Sequence, residues 1–213
     1  MKRHYSLFDK LIVEVDQALR TLSGGCLPKQ RPSPADNIDE AELSSSEKKH
    51  SAGLMRINHS GEVCAQALYQ GQALTATLPG VRATMQRSAD EEIDHLVWCE
   101  QRLKQLDSRP SYLNPLWYGL SFTMGAFTGT IGDNISLGFV AATEEQVCRH
   151  LRSHQRQLPK RDRKSHLIVQ QMLQDESKHA DAARAAGGAR FHRGVKQSMH
   201  LLSKVMTKTT YFI

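Results

Sequence analysis

Apolar residues recur at helical spacing, every three or four positions, along most of this chain. Alternating runs of β-branched residues, which would indicate strands, are scarce. Segments with the helical spacing run approximately over residues 6–23, 44–78, 81–106, 134–157 and 160–186, and a last one follows residue 190. The pattern therefore predicts an all-α fold.

Short local signals predict where these helices begin and end. Ser6 with Asp9 and Ser44 with Glu47 have the spacing of a capping box. Helix breaks are expected at Gly24-Gly25, Pro79-Gly80, Arg109-Pro110 and Gly187-Gly188. Residues 26–43 carry three prolines and are interpreted as a linker. We therefore predict a short N-terminal helix and Pro-rich linker over residues 1–43, and one domain over residues 44–213.

Residues 111–132 contain no Asp, Glu, Lys, Arg or His. Their length is close to that of a bilayer span, but their Gly, Ser, Thr, Asn and Pro content makes a poor one. We therefore expect a crossover segment that packs on a helical bundle or lies at a membrane surface.

Composition narrows the function classes. The chain has 213 residues, a formal net charge of +6 and four widely separated cysteines without a C-x-x-C pair. The cysteines favour buried free thiols in a reducing compartment over a zinc or redox site. The positive charge has no nucleic-acid-binding signature beside it, so we expect no nucleic-acid partner. The first 16 residues resemble neither a signal peptide nor a mitochondrial presequence.

Two Glu-x-x-His motifs lie where apolar core residues would be expected. Glu92 with His95 and Glu176 with His179 both fall on the apolar stripe of a predicted helix. A buried ionised carboxylate costs several kcal/mol unless a partner such as a metal ion compensates it. A third match, Glu47 with His50, lies roughly 22 Å along the helix from Glu62, so we attribute it to chance.

The two remaining long helices each contribute a glutamate at a matching place. Glu62 and Glu144 lie on apolar stripes, about thirty residues before the Glu-x-x-His motifs; the neighbouring Glu145 points about 100° away and is the weaker candidate. Two antiparallel hairpins would bring four carboxylates and two imidazoles together, which is the ligand inventory of ferritin-like di-iron and di-manganese proteins. These ligands favour iron or manganese over structural zinc. The alternative is a set of ordinary surface ion pairs.

With these residues identified, the chain resembles the membrane-associated demethoxyubiquinol hydroxylases of ubiquinone biosynthesis. The resemblance covers about residues 50–213 and excludes the first forty. It is carried by four stretches in the order and spacing of that family's metal-bearing helices: "LMRINHSGEVCAQALYQGQAL", "EEIDHL", "VAATEEQVCRHL" and "DESKHADAA".

The resemblance implies a ferritin-like four-helix bundle with added membrane-facing helices and two iron ions per chain. The implied ligands are Glu62, Glu92, His95, Glu144, Glu176 and His179, with Glu92 and Glu176 bridging the irons. The implied reaction is O2-dependent hydroxylation of a polyprenylated 6-methoxy-3-methyl-benzoquinol at its free ring carbon. A soluble ferritin-like protein that stores iron or destroys peroxide is the alternative, and a non-enzymatic membrane-surface adaptor is a third reading.

Three residues are expected in an outer shell around the metal. Glu91 and Asp175 each lie four residues before a ligand histidine and could accept an imidazole N–H. His150 is the third. Some members of the family carry His-Tyr at this point, whereas here Leu151 follows His150, which puts an electron path through that tyrosine in question.

A substrate with a long isoprenoid tail requires access to lipid. Residues 111–127 supply uncharged aromatic and aliphatic side chains, and the tail after residue 190 has the composition of an interfacial basic amphipathic helix. An ordinary packing helix with a solvated lysine face is the alternative for the tail. We therefore expect a peripheral protein on the cytoplasmic side of a bacterial cell membrane. The resemblance also leaves room for ubiquinone-biosynthesis protein partners and for an oligomer.

Overall fold

The structure, a computed structural model, describes residues 7–24 and 30–213. Within these ranges the chain forms helices and no strand, which confirms the all-α prediction. The helices are α1 (Leu7–Ser23), α2 (Ser45–Thr75), α3 (Pro79–Gln105), α4 (Asn114–Ile131), α5 (Asp133–Gln157), α6 (Arg163–Ala185) and α7 (Arg193–Thr210).

Four of the helices form the bundle. α2 packs along α3 and α5 packs along α6, so each pair is a helical hairpin. The hairpins meet where α3 contacts α6 and where α2 contacts α5. α1 packs against α2 and α4, and α7 packs against α2 and α5. This is the predicted four-helix bundle with additional helices on its outside.

Capping chemistry explains the helix starts. The predicted capping box at α2 is present, since the Ser44 hydroxyl accepts the N–H of Glu47 and the Glu47 carboxylate accepts the N–H of Ser44. α6 begins three residues later than expected because the Asp162 carboxylate accepts the N–H of Ser165 and caps the helix there. The expected capping residue Ser6 and the expected break at Gly25 lie outside the described residues.

The uncharged stretch forms α4, the crossover between the two hairpins. It lies so close to α2 that a Cβ at Gly71 would collide with the backbone oxygen of Phe122, and a Cβ at Gly125 with that of Leu68. Leu120 and Phe127 lie on its exposed side. Within residues 7–24 and 30–213, none of the helices has the length and hydropathy needed to traverse a bilayer.

Residues 30–43, the described part of the predicted linker, pack on the bundle. Ala35 is buried in the core beside α2 and α3. Glu40 accepts two hydrogen bonds from the guanidinium of Arg102, whose side chain is fully buried. The segment before residue 43 is therefore in contact with the domain. The domain boundary at residue 43 remains a prediction.

The bundle core has two apolar layers. One contains Met55, Trp98, Leu103, Leu151, Ile168 and Met172. The other contains Tyr69, Met85, Leu137, Val140 and Ala183. On each of the four bundle helices, the sequence between these two layers carries one of the glutamates singled out above. The fold therefore places a charged layer in the middle of an otherwise apolar core.

Candidate metal centre

All six residues proposed as ligands meet in the charged layer. Five of them are almost completely buried, with at most 2% of the residue exposed: Glu62, Glu92, His95, Glu144 and Glu176. The side chain of His179 is 11% exposed. The alternative of surface ion pairs is therefore wrong for this group.

The most compact part of the centre involves four residues. Glu62, Glu92, His95 and Glu176 each direct one donor atom to a common point, and these atoms all lie within 4.8 Å of one another. Nδ1 of His95 is 2.9 Å from Oε2 of Glu92 and 3.1 Å from Oε1 of Glu176. Three carboxylates and one imidazole in this arrangement can bind a metal ion.

His179 and Glu144 complete the centre on its other side. Nδ1 of His179 is 2.9 Å from Oε1 of Glu92 and 3.3 Å from Oε2 of Glu176. Glu144 lies within hydrogen-bonding reach of Glu176. Glu92 and Glu176 therefore lie between the two histidines.

Two buried oxygens show that the residues fit a metal. Oε1 of Glu92 and Oε1 of Glu176 have no hydrogen-bond partner. A ring nitrogen lies 2.9 Å from the first and 3.1 Å from the second, but the approach does not have hydrogen-bond geometry. Buried oxygens without a donor are costly in a folded protein, and a bound cation would remove that cost.

The pKa shifts of the buried histidine and carboxyl groups indicate that the centre favours the binding of a cation. Burial alone would lower the pKa of His95, but Glu92, Asp175, Glu176 and Glu62 raise it well above its usual value. Burial raises the pKa of Glu62 and Glu144 well above the usual range, with the neighbouring carboxylates adding to the effect. A metal cation would supply the charge and allow these carboxyl groups to ionise.

Each of the two histidines is hydrogen-bonded through Nε2 to an acidic residue of the opposite helix. Nε2 of His95 on α3 is 3.2 Å from Oδ2 of Asp175 on α6. Nε2 of His179 on α6 is 2.9 Å from Oε2 of Glu91 on α3. The spacing of four residues suggested partners on the same helix. Instead, each acidic residue reaches across to the histidine of the opposite helix.

The third residue expected in the outer shell, His150, lies elsewhere. Its ring is 6.4 Å from that of His154, and it lines a cavity of about 300 Å³ between α2, α5 and the end of α7. None of the six candidate ligands lines this cavity. Position 150 faces this side of α5 because it is six residues, roughly 240° of rotation, from Glu144.

Two residues at the centre were missed by the sequence reasoning. Tyr69 donates a hydrogen bond to Glu144, and its place seven residues after Glu62 on the same stripe could have indicated this. Arg31 binds Asp175 with Nη1 at 2.9 Å. Arg31 comes from the Pro-rich segment, where no periodicity marks it.

The residues set aside in the sequence lie away from the centre. Glu47 is part of the α2 cap, and His50 is bonded to Tyr211. Glu145 pairs with Arg184 and Lys196. The free cysteines in the described ranges are Cys64, Cys99 and Cys148, the last two buried, while Cys26 lies outside those ranges.

Comparison with known proteins identifies the family. Residues 49–210 match the family described as ubiquinone biosynthesis protein COQ7. The 3-demethoxyubiquinol 3-hydroxylases of Azotobacter vinelandii and Stutzerimonas stutzeri are 61% and 62% identical over 212 residues, covering 100% of this chain and 99% of each relative. That of Pseudomonas syringae is 60% identical over the same length. The chain therefore belongs to the COQ7 family of ubiquinone biosynthesis proteins.

Proposed function

We propose that this protein is a 3-demethoxyubiquinol 3-hydroxylase, which uses O2 to hydroxylate the free ring carbon of a polyprenylated 6-methoxy-3-methyl-benzoquinol. The observation that carries the proposal is the buried Glu/His centre, found in a chain about 60% identical to such hydroxylases over its full length. An all-α bundle with a charged layer in its core has no structural need for those carboxylates.

Two iron ions would be held by six residues. His95 with Glu62 and His179 with Glu144 would hold the ions from the two ends of the centre, and Glu92 and Glu176 would hold them from between the two histidines. The donor set, the two unpartnered carboxylate oxygens and the raised pKa values of Glu62 and Glu144 support this assignment. Bound ferrous ions would supply the redox chemistry that activates O2, which no protein side chain present can supply.

The chain's own contribution at the histidines is to fix the tautomer. Asp175 and Glu91 accept hydrogen bonds, so they favour a proton on Nε2 of His95 and of His179. The Nδ1 lone pair of each ring is then directed at the carboxylates of Glu92 and Glu176. This arrangement orients both imidazoles as neutral metal ligands.

The long-tailed quinol would be met at a membrane surface, on the cytoplasmic side of the cell membrane. α7 exposes Val195, Leu201, Leu202 and Val205 to the outside, and α4 exposes Leu116, Leu120 and Phe127. Lys204 and Lys208 on α7 are exposed beside this apolar surface. A basic amphipathic helix of this kind is suited to lie in the interface of an anionic bilayer.

The direct test is turnover by the purified iron-loaded protein. A short-tailed 3-demethoxyubiquinol, O2 and a reductant should give a product heavier by one oxygen atom, with label from ¹⁸O2, in mass spectrometry. A strain lacking the protein should accumulate the demethoxy quinone. Iron uptake without hydroxylated product, in a strain with a normal quinone profile, would refute the proposal and favour the ferritin-like storage function.

A further inference from the structure

The two histidines of the centre are held by partners of very different exposure. His95 is completely enclosed, and its partner Asp175 has only 9% of its side chain exposed. His179 is bonded to Glu91, whose side chain is 51% exposed. An ion pair at that exposure contributes little to holding a side chain in place. We call the side of the centre with His179 and Glu91 the His179 half, and the side with His95 and Asp175 the His95 half. The outer surface of the His179 half is therefore open to solvent, while that of the His95 half is closed.

Arg31 covers the outside of the His95 half. Its own side chain is 42% exposed but, unlike Glu91 in the His179–Glu91 pair, it contacts two carboxylates and an aromatic ring. Its Nη1 is 2.9 Å from Oδ2 of Asp175, and its Nε is 2.8 Å from Oδ2 of Asp94, so one guanidinium joins α6 to α3. Oδ1 of Asp94 also accepts the backbone N–H groups of Gln30 and Arg31. The segment before the bundle is thus anchored at this point by its backbone as well as by its side chain.

Trp98 forms the second part of the closure. The Arg31 guanidinium lies over its ring, 5.0 Å from the centroid, and the ring of Trp98 is 5.4 Å from that of His95. Trp98 is 1% exposed. The buried Trp98 ring thus lies between the Arg31 guanidinium and His95, and the cation–π contact helps to hold Arg31 over this side of the centre.

The metal-donor atoms on the His95 side also differ from those on the His179 side. The four that lie within 4.8 Å of one another belong to Glu62, Glu92, His95 and Glu176, all on the closed side or between the two sides. On the open side, Glu144 has one carboxylate oxygen engaged by Tyr69. The His95 half therefore directs more of its donor atoms to one common point than the His179 half does.

We propose that the two metal positions are inequivalent: Arg31 retains the ion bound at His95, while the ion at His179 exchanges through the opening beside Glu91. This inference rests on the proposed function, since it takes two iron ions as the occupants. Arg31 acts as a positioning residue through Asp175. Release of the ion at His95 requires this imidazole to move, and Asp175, itself bonded to Arg31, opposes that movement.

The test is the release of iron from the full-length protein. The protein is loaded anaerobically with two ferrous ions and mixed with an excess of a chromogenic ferrous chelator, and absorbance is followed with time. We expect two phases, each of one ion per chain. Arg31→Gln should accelerate the slow phase by about tenfold and leave the fast phase unchanged. Glu91→Gln should change the rate of the fast phase and leave the rate of the slow phase unchanged.

Arg20→Gln is the matched control, because Arg20 belongs to the same N-terminal region and its guanidinium forms an exposed ion pair with Asp16. It should reproduce both phases of the unmodified protein. Arg31→Lys keeps the charge but lacks the fork that reaches two carboxylates, so it should accelerate the slow phase by a smaller factor. Thermal unfolding of each variant shows that it is folded, and Arg31→Lys serves should Arg31→Gln fail to fold.

The outcomes separate this inference from the proposed function. A single release phase for both ions overturns the inference and leaves the hydroxylase intact. An unchanged slow phase in both Arg31 variants, or equal acceleration of both phases, also overturns it, because the effect would not be specific to His95. A folded protein that binds no iron overturns the proposed function and the inference together.

Discussion

Tyr69 on α2 donates a hydrogen bond of 2.7 Å to Oε1 of Glu144 on α5, across the middle of the bundle. Both side chains are buried. Burial, and then the negative charge of Glu144, raises the pKa of Tyr69 well above its usual value, so its hydroxyl remains a donor. The bond fixes one oxygen of the carboxylate and leaves the other to face Glu176.

Tyr69→Phe should therefore weaken the centre while preserving the packing of the ring. Loss of one buried hydrogen bond should lower the free energy of unfolding by about 1 kcal/mol, measured by denaturant titration. The affinity for the more weakly bound ferrous ion should fall by roughly tenfold, measured by anaerobic titration. Unchanged affinity would show that Tyr69 does not position Glu144 for metal.

Glu176→Ala should abolish hydroxylation and remove most of the bound iron, because Glu176 lies between His95 and His179. The control is Glu47→Ala, which removes a glutamate of another Glu-x-x-His match and should retain iron and activity. It should lower the free energy of unfolding slightly, because the Glu47 carboxylate no longer accepts the N–H of Ser44 in the α2 cap. Equal iron content in Glu176→Ala and the unmodified protein, by elemental analysis, would contradict the site assignment.

Asp175→Asn should reduce iron affinity or turnover by roughly tenfold or more. The change keeps the size of the side chain but removes the charge that His95 and Arg31 both contact. Asp181→Asn is a suitable control, since Asp181 is also on α6 and pairs with Arg184 at the surface. Equal behaviour of the two variants in iron titration and turnover would refute a role for Asp175.

Replacing Leu202 and Val205 by Asp should release the protein from anionic vesicles. Both residues are about half exposed on α7, and charge there opposes insertion into lipid. The variant should keep its iron and its activity on a short-tailed quinol. Ala83→Asp with Gln86→Asp adds the same number of charges at exposed positions of α3, outside the surface formed by α4 and α7, and should retain vesicle binding in a flotation assay. Normal flotation of the Leu202/Val205 variant would indicate that α7 is an ordinary packing helix.

The protein should lose stability on mild acidification, in part through His154. Burial, and then the charges of His150 and His50, lowers the pKa of His154 from 6.5 to about 4. The unfolded chain therefore binds a proton that the folded chain does not between pH 6.5 and pH 4. The free energy of unfolding falls as the pH decreases through this window, by about 3 kcal/mol in total for this one group.

His154→Gln isolates that contribution. The amide can still donate to Oδ1 of Asn58, which His154 contacts with Nδ1 at 2.7 Å, but it cannot be protonated. The urea unfolding midpoint of the unmodified protein should fall relative to that of the variant as the pH is lowered from 7 to 4.5. A constant difference over this range would show that His154 is not held neutral in the folded state.

The bundle and its charged layer were predictable because both depend on local periodicity. Glu62 and Glu144 were identified by their phase on an apolar stripe, and phase along a helix is a property of the sequence alone. The start of α2 was identified from Ser44 and Glu47 for the same reason, since a capping box joins residues that are three apart.

Contacts between helices were not predictable in this way. Glu91 and Asp175 were expected to bind the histidine on their own helix, whereas each one is hydrogen-bonded to the histidine of the opposite helix, a tertiary contact between α3 and α6. Arg31 gave no signal, because a residue in an irregular segment is positioned by tertiary contacts with Asp94 and Trp98. His150 was misplaced because the expectation rested on its neighbours in sequence.

The glycine contact between α2 and α4 fixes the orientation of the helix that the proposed membrane surface includes. Since no Cβ fits at Gly71 or Gly125, α4 cannot turn or slide over α2 without a collision of backbones. The exposed face of α4 therefore has a fixed orientation relative to Glu62 on α2. When α4 contacts lipid, the Gly71 and Gly125 contacts would set the angle between the bundle and the membrane plane. That angle would determine the direction from which the quinol ring of a membrane-bound substrate enters the bundle. A methyl group at either glycine would force the backbones of α2 and α4 apart and would change the orientation of α4 relative to Glu62.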